Sequence, residues 1–161
     1  MIALLSRLLS RAEPILTEAS MRDATDIAAL HGQSFRRGWS EDEVESLLAQ
    51  RNVLTHRAMV GRIMAGFIMS RIAADEAEIL SVAVGKSWRG RGIAGRLLSL
   101  HLRRLAGAGV TTVFLEVGEA NDPATALYFH AGFTEVSRRA NYYDDGAGRA
   151  TTALVLRRDL I

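Results

Sequence analysis

A chain of 161 residues with 48% hydrophobic and 24% charged residues has the size and balance of one folded globular domain, which excludes disordered and fibrous classes. The absence of cysteine excludes disulfides, thiolate metal sites and any thioester carried on the protein. A net charge of +2 is too small for a general polyanion-binding surface, so no nucleic-acid partner is expected.

The opening MIALLSRLLSRAEP is apolar at Leu4, Leu5, Leu8 and Leu9. It lacks a signal peptide's basic start and small-residue cleavage site, and is shorter than the roughly 20 apolar residues of a spanning helix. A short amphipathic helix over 1–13 is expected, with no membrane partner. Residues 14–19 read as a strand. Asp23 then caps a helix carrying Ile27, Leu30 and Phe35. Ser40 to Glu43 is a capping box opening a second helix with Val44, Leu47 and Leu48 buried, and Trp39 sits at the junction. From Val53 to Val84, β-favouring residues broken at Gly61-Arg62 and Ala74-Asp75 predict three antiparallel strands, the third near Glu78–Val84.

Ile93, Leu97, Leu98, Leu102 and Leu105 then mark a helix ending near Gly107 or Gly109. A strand over Thr111–Val117, a short helix over 123–131 and strands around 133–143 and 151–158 complete the chain. This order predicts an α+β fold, a three-layer arrangement of a mixed, mostly antiparallel sheet flanked by helices, with a single βαβ unit. No repeat or linker interrupts it, so one domain over 1–161 is expected.

Chemistry concentrates after the third strand. Between Glu78 and Glu116 there is no acidic residue, while Lys86, Arg89, Arg91, Arg96, Arg103 and Arg104 fall there. Within WRGRGIAGR, small residues stand where a helix begins, so exposed amides and the positive end of the helix dipole can face a phosphate or pyrophosphate. Two frames overlap. Gly90, Gly92 and Gly95 spell the G-x-G-x-x-G of a dinucleotide turn, and Glu116 follows at about the 20-residue spacing of a ribose-binding acid. That frame is opposed by the mid-chain position and the single βαβ unit, since a full dinucleotide site uses two halves. The second frame starts at Arg89 as R-x-x-G-x-A, with Gly92 and Ala94 as its small residues.

In that second frame the chain resembles the GNAT N-acetyltransferases. The resemblance is carried by AEILSVAV at 77–84, RGRGIAGRLL at 89–98, FLEV at 114–117, AND at 120–122, ALYFHAGF at 126–133, NYY at 141–143 and the Trp39-Ser40 pair. It covers roughly residues 14–158, and within the family it is nearest the RimI branch of ribosomal-protein alanine N-acetyltransferases.

The resemblance implies acetyl-CoA as cosubstrate and no metal. His31, His56, His101 and His130 show no ligand spacing of their own. By the same resemblance the backbone of Val82, Ala83 and Val84 binds the pantetheine arm, with a bulge near Ala83. Amides from Arg89, Gly90, Arg91, Gly92, Ile93 and Ala94 cradle the pyrophosphate, and Asn121 contacts the cofactor. Glu116 is implied as general base and Tyr128 as the acid that protonates the leaving thiolate. Trp39, Tyr142 and Tyr143 are candidates to line the acceptor site, because aromatic walls grip a peptide end while their polar edges orient it; as plain residues they are partly buried packing. The implied acceptor is a protein N terminus, the alanine of ribosomal small-subunit protein eighteen. A lysine or small-molecule amine is the rival acceptor, and a non-catalytic acyl-CoA-binding module the rival class. A cytoplasmic monomer or weak homodimer is expected.

The same residues have plainer readings. Alternation puts Glu116 with Phe114 on the face opposite Val113, Leu115 and Val117, where it is a surface acid. Tyr128 is a core residue with its hydroxyl at the rim. Two positions on the acceptor side depart from the branch: Gly38 stands where proline is common, and Thr152 stands where an acid precedes Ala153-Leu154.

Overall fold

The structure is a computed structural model describing Ile2, Leu4, residues 12–144, Gly148 and residues 150–161, with only the backbone of 141–144. The helix expected over 1–13 lies largely outside the described residues. Seven strands join in the order β1-β2-β3-β4-β5-β7-β6. They are β1 (Ile15–Glu18), β2 (Val53–Val60), β3 (Ile63–Ala73), β4 (Glu76–Val84), β5 (Thr112–Gly118), β6 (Thr134–Asp144) and β7 (Ala150–Asp159). Four helices accompany them among the described residues: α1 (Ala24–Ser34), α2 (Glu41–Leu48), α3 (Ile93–Gly107) and α4 (Asp122–His130). The sheet is mixed as expected, and none of these helices is long and apolar enough to cross a membrane. Backbone proximity divides the chain into two compact units, Met1–Ser70 with Ser81–His101, and Arg71–Leu80 with Leu102–Ile161.

In the first unit β1 pairs antiparallel with β2, from Ile15 opposite Met59 to Glu18 opposite His56. β3 is buried without a break from Met64 to Ser70, and its near-continuous apolar run suits a strand covered on both faces. Burying side chains such as Phe67 and Met69 contributes about 1.5–3 kcal/mol each. The capping box of α2 forms as expected: the Glu43 amide donates to Ser40 Oγ at 3.1 Å, and the Ser40 amide donates to Glu43 Oε2 at 2.8 Å. Asp23 differs from expectation. It stands before α1, but its carboxylate accepts from the Ser20 amide at 2.8 Å and pairs with the Arg57 guanidinium instead of capping the helix. Asp23 is the third residue of the 3-10 turn Met21–Asp23, so its carboxylate reaches back to the N-cap amide of that turn as in a capping box.

A polar row crosses the interior of this unit. His56 Nδ1 lies 2.7 Å from His101 Nδ1, and His101 Nε2 lies 2.7 Å from Ser70 Oγ. All three are buried. Two neutral rings can share one proton across the first contact, whereas protonating the accepting ring would oppose two N–H groups there. Burial, and then His56, push the His101 pKa down to about 3. Unfolded histidine titrates near pH 6.5, so below that value the unfolded chain takes up a proton that the folded chain refuses. Stability therefore falls as the pH drops from about 6.5 toward 3, by at most about 1.4 kcal/mol per unit from this group. Urea midpoints measured between about pH 7.5 and 5 are expected to show that slope, and His101→Asn is expected to flatten it; equal slopes would remove His101 as the cause.

In the second unit β5 lies between a parallel and an antiparallel neighbour. It pairs with β4 from Glu76 opposite Thr112 to Ile79 opposite Leu115, and with β7 from Thr112 opposite Asp159 to Gly118 opposite Ala153. A parallel pair needs a long crossover, which α3 supplies. That helix ends through Gly109, whose φ of +91° lets the Val110 amide reach back to the Leu105 carbonyl at 3.0 Å. Val113, Leu115 and Val117 are buried, as are Leu154 and Leu156. Alternation thus leaves Phe114 and Glu116 on the other face. β6 pairs with β7, with irregular register between Glu135 and Ser137 and again between Arg139 and Tyr143.

Candidate functional site

The first unit carries the glycine turn. β4 ends at Val84, and the Gly85 amide donates to the Ala65 carbonyl at 2.8 Å. The 3-10 turn Lys86–Trp88 follows, closed by the Trp88 amide on the Gly85 carbonyl at 2.8 Å. Gly90 and Gly92 take φ values of +75° and +76°, a region glycine enters freely and side chains rarely adopt. A Cβ at either would meet nothing within 4 Å, so backbone conformation rather than space requires glycine there. The Arg96 amide donates to the Gly92 carbonyl at 3.1 Å, which makes Gly92 the residue from which α3 departs. The amides that open the helix therefore have no partner within it, and the helix dipole adds its positive end. Gly95 lies inside α3.

The two arginines of this turn behave differently from simple free charges. Arg89 Nε donates to the Val84 carbonyl at 2.9 Å, tying the turn back to the end of β4. The Arg91 guanidinium sits 5.0 Å from the centre of the Trp88 ring, a cation–π contact that leaves the group exposed. Such a turn can hold a phosphate or pyrophosphate through main-chain amides, with charge nearby.

Val82, Ala83 and Val84 lie on the last stretch of β4, immediately before the turn. Sequence reasoning missed the residue packed against them. A Cβ on Gly66 of β3 would lie 2.9 Å from the Ala83 carbonyl oxygen and 3.1 Å from Val84 Cγ2. A glycine inside an apolar strand run was the available signal, since it marks close backbone approach. Gly66→Ala is expected to displace that backbone at a cost of about 1–3 kcal/mol. A lowered urea midpoint together with weaker acetyl-CoA binding by titration calorimetry checks it; a variant equal to the parent in both contradicts it.

Trp39 also belongs to the first unit, in the segment between α1 and α2. Its indole stacks on His31, with ring centres 3.9 Å apart. His31 entered the sequence reading only as a histidine without ligand spacing, although its place four residues after the buried Ile27 on one helix face was a visible signal.

The second unit holds the two residues expected to move protons. Glu116 on β5 is 27% exposed and pairs through Oε1 with Arg139 Nη1 of β6 at 3.4 Å. That pairing spans two strands, since Glu116 stands opposite Val155 and Val155 opposite Ser137, so sequence spacing gave no sign of Arg139. Tyr128 on α4 is 7% exposed, with its ring edge-on to Phe133 at 5.7 Å. Burial raises its phenol to about 12, so it is a proton donor throughout the neutral range. Asn121 caps α4: its Oδ1 accepts from the Ala124 amide at 3.4 Å. The backbones of Tyr142 and Tyr143 run in β6, with Tyr143 opposite Thr151. Their side chains, expected to line the acceptor site, lie outside the described residues.

Comparison with known proteins adds the following. Residues 18–133 match the acetyltransferase (GNAT) family model. A ribosomal protein bS18-alanine N-acetyltransferase from Escherichia coli (strain K12) is 34% identical over 111 residues, covering 69% of this chain and 74% of the relative. An enzyme of the same name from Haemophilus influenzae is 28% identical over 142 residues, covering 88% and 96%. The crystal structure of the ribosomal-protein-S18-alanine N-acetyltransferase from Escherichia coli superposes with a TM-score of 0.85 at 26% identity, covering 91% of this chain and 94% of the other.

Proposed function

The chain belongs to the acetyltransferase (GNAT) family, and on that premise we propose that it moves the acetyl group of acetyl-CoA directly onto a protein N-terminal amine, the alanine of ribosomal protein bS18. It is an acetyl-CoA-dependent N-acetyltransferase. The observation that carries the site assignment is the turn Arg89–Gly92, clasped to Val84 and opening α3 through two positive-φ glycines. The acceptor is read from relatives whose name specifies bS18 alanine. A cytoplasmic home fits such an acceptor.

Each residue then has a task. The amides of Arg89, Gly90, Arg91, Gly92, Ile93 and Ala94 hold the pyrophosphate of CoA, and the 82–84 backbone holds its pantetheine arm. Asn121 assists at the cofactor through the side chain that caps α4. An N-terminal amine has a reference pKa of about 7.7–8.0 and is mostly protonated at neutral pH, so it cannot attack a thioester until a base takes its proton. Glu116 is that base, directly or through water. The amine nitrogen forms its bond to the acetyl carbon, the carbon–sulfur bond breaks, and Tyr128 gives its phenolic proton to the departing sulfur. The chain has no cysteine to carry the acetyl group, which agrees with direct transfer. Trp39 is a wall of the acceptor site.

A panel of peptides tests the acceptor: the bS18 N terminus, the same peptide blocked at its α-amine, a lysine-bearing peptide and small amines. Thiol release and intact mass are expected to favour the free N-terminal alanine over every other member. A preference for lysine or small amines would sink the bS18 reading while leaving acetyl transfer in place.

A further inference from the structure

The segment between α1 and α2 is held in a way that the transfer chemistry does not use. His31, in the last turn of α1, is 5% exposed. Its Nδ1 accepts the backbone N–H of Trp39 at 3.0 Å. Its ring lies nearly parallel to the Trp39 indole, 9° apart in plane, and Phe35 also stacks on it with centres 4.4 Å apart. A ring nitrogen that accepts carries no proton, so the neutral imidazole bears its hydrogen on Nε2. Burial, opposed in part by Glu43, lowers the His31 pKa and keeps the accepting form present at neutral pH.

The backbone next to Trp39 is fixed as well. A Cβ on Gly38 would lie 2.6 Å from the Gly32 Cα, so the segment crosses α1 backbone to backbone and only glycine fits without a shift. Trp39 also lines a shallow, open surface groove with Asp42, Glu43, Ser46, Leu47 and Gln50. The indole is thus set from below by a histidine and from behind by a glycine crossing.

We propose that His31 is a positioning residue for the acceptor: it fixes the Trp39 indole as a wall of the acceptor-peptide site, and so sets acceptor affinity without touching acetyl-CoA or the reacting atoms. The proposal rests on the reading of Trp39 as an acceptor wall. A residue of this kind acts on the KM for the peptide and leaves the chemical step alone.

Steady-state kinetics with acetyl-CoA and the bS18 N-terminal peptide test it in His31→Phe, His31→Gln and Trp39→Ala. Phenylalanine keeps a stacking ring but accepts no hydrogen bond, whereas glutamine offers an acceptor without the ring. His31→Phe is expected to raise the peptide KM about 3- to 10-fold, the effect of one lost hydrogen bond. Its kcat and acetyl-CoA KM should stay within about two-fold of the parent, and His31→Gln should recover part of the loss. Amide exchange at Trp39 should quicken in His31→Phe. An unchanged peptide KM in His31→Phe, or equal losses in all three constants, overturns the proposal. If Trp39→Ala raises the peptide KM and His31→Phe does not, only the role of His31 is lost. If Trp39→Ala itself leaves the peptide KM unchanged, Trp39 is no acceptor wall and the underlying reading falls with the proposal. Should His31→Phe not fold, exchange in the parent decides: a protected Trp39 amide supports the clasp, and an unprotected one overturns it.

Discussion

Glu116→Gln is expected to lower kcat/KM for the acceptor peptide by about 10²- to 10⁴-fold at neutral pH, the range spanned by a positioned general base. Glutamine keeps the shape of the side chain but takes no proton from an ammonium. Glu116 is partly exposed and its known partner is the exposed Arg139, so the change leaves no buried charge behind. The KM for acetyl-CoA should therefore hold, and the loss should appear in the acceptor step. The pH dependence has a definite sign. Above the amine pKa of about 7.7–8.0 the acceptor arrives already neutral, so the defect should shrink as the pH rises toward 9. Thiol release followed across that range checks both statements; a variant within about two-fold of the parent at neutral pH would remove Glu116 from the chemistry.

Tyr128→Phe should cost about 10- to 10²-fold in kcat, at or below the lower end of the acid–base range. The reason is the leaving group: a thiol of pKa near 8.5 departs with little help, so its proton donor is worth less than the base. Phenylalanine retains the edge-on ring against Phe133, and the unfolding midpoint should stay close to that of the parent. A rate loss without a stability loss then reports the missing proton. Because burial holds the phenol at about 12, no alkaline limb from Tyr128 should appear below about pH 11 in the parent enzyme. An unchanged kcat in the phenylalanine variant would leave Tyr128 as a packing residue only.

Much of this was legible in the sequence, for reasons that differ by residue. The Ser40 to Glu43 box was readable because capping uses contacts only three residues apart. The turn was readable because glycines at 90 and 92 permit positive φ and the apolar stripe from Ile93 starts a helix directly after them. Glu116 was placed on its face by alternation along β5, and the exposure found there agrees.

What escaped the sequence depends on contacts between distant positions. Arg139 reaches Glu116 across an intervening strand, and the irregular register of β6 moves its side chains out of simple alternation. His31 was read only as a histidine without ligand spacing, and its partner became visible where the chain folds back at Gly38 and brings Trp39 onto it. Asp23 was read as a cap because local spacing favours that role, yet Ser20 and Arg57 are better partners for its carboxylate. That the Arg89 side chain also closes the turn on the Val84 carbonyl was not visible in the spacing.

The central claim is that the acetyl group passes in one step from acetyl-CoA to an N-terminal amine. Initial rates with acetyl-CoA and the bS18 peptide varied together, combined with intact mass of enzyme and peptide during a single turnover, test it most directly. The account predicts intersecting double-reciprocal lines, an acetyl group appearing on the peptide's α-amine, and an enzyme whose mass never changes. Parallel lines with an acetylated enzyme forming before the peptide product would contradict it.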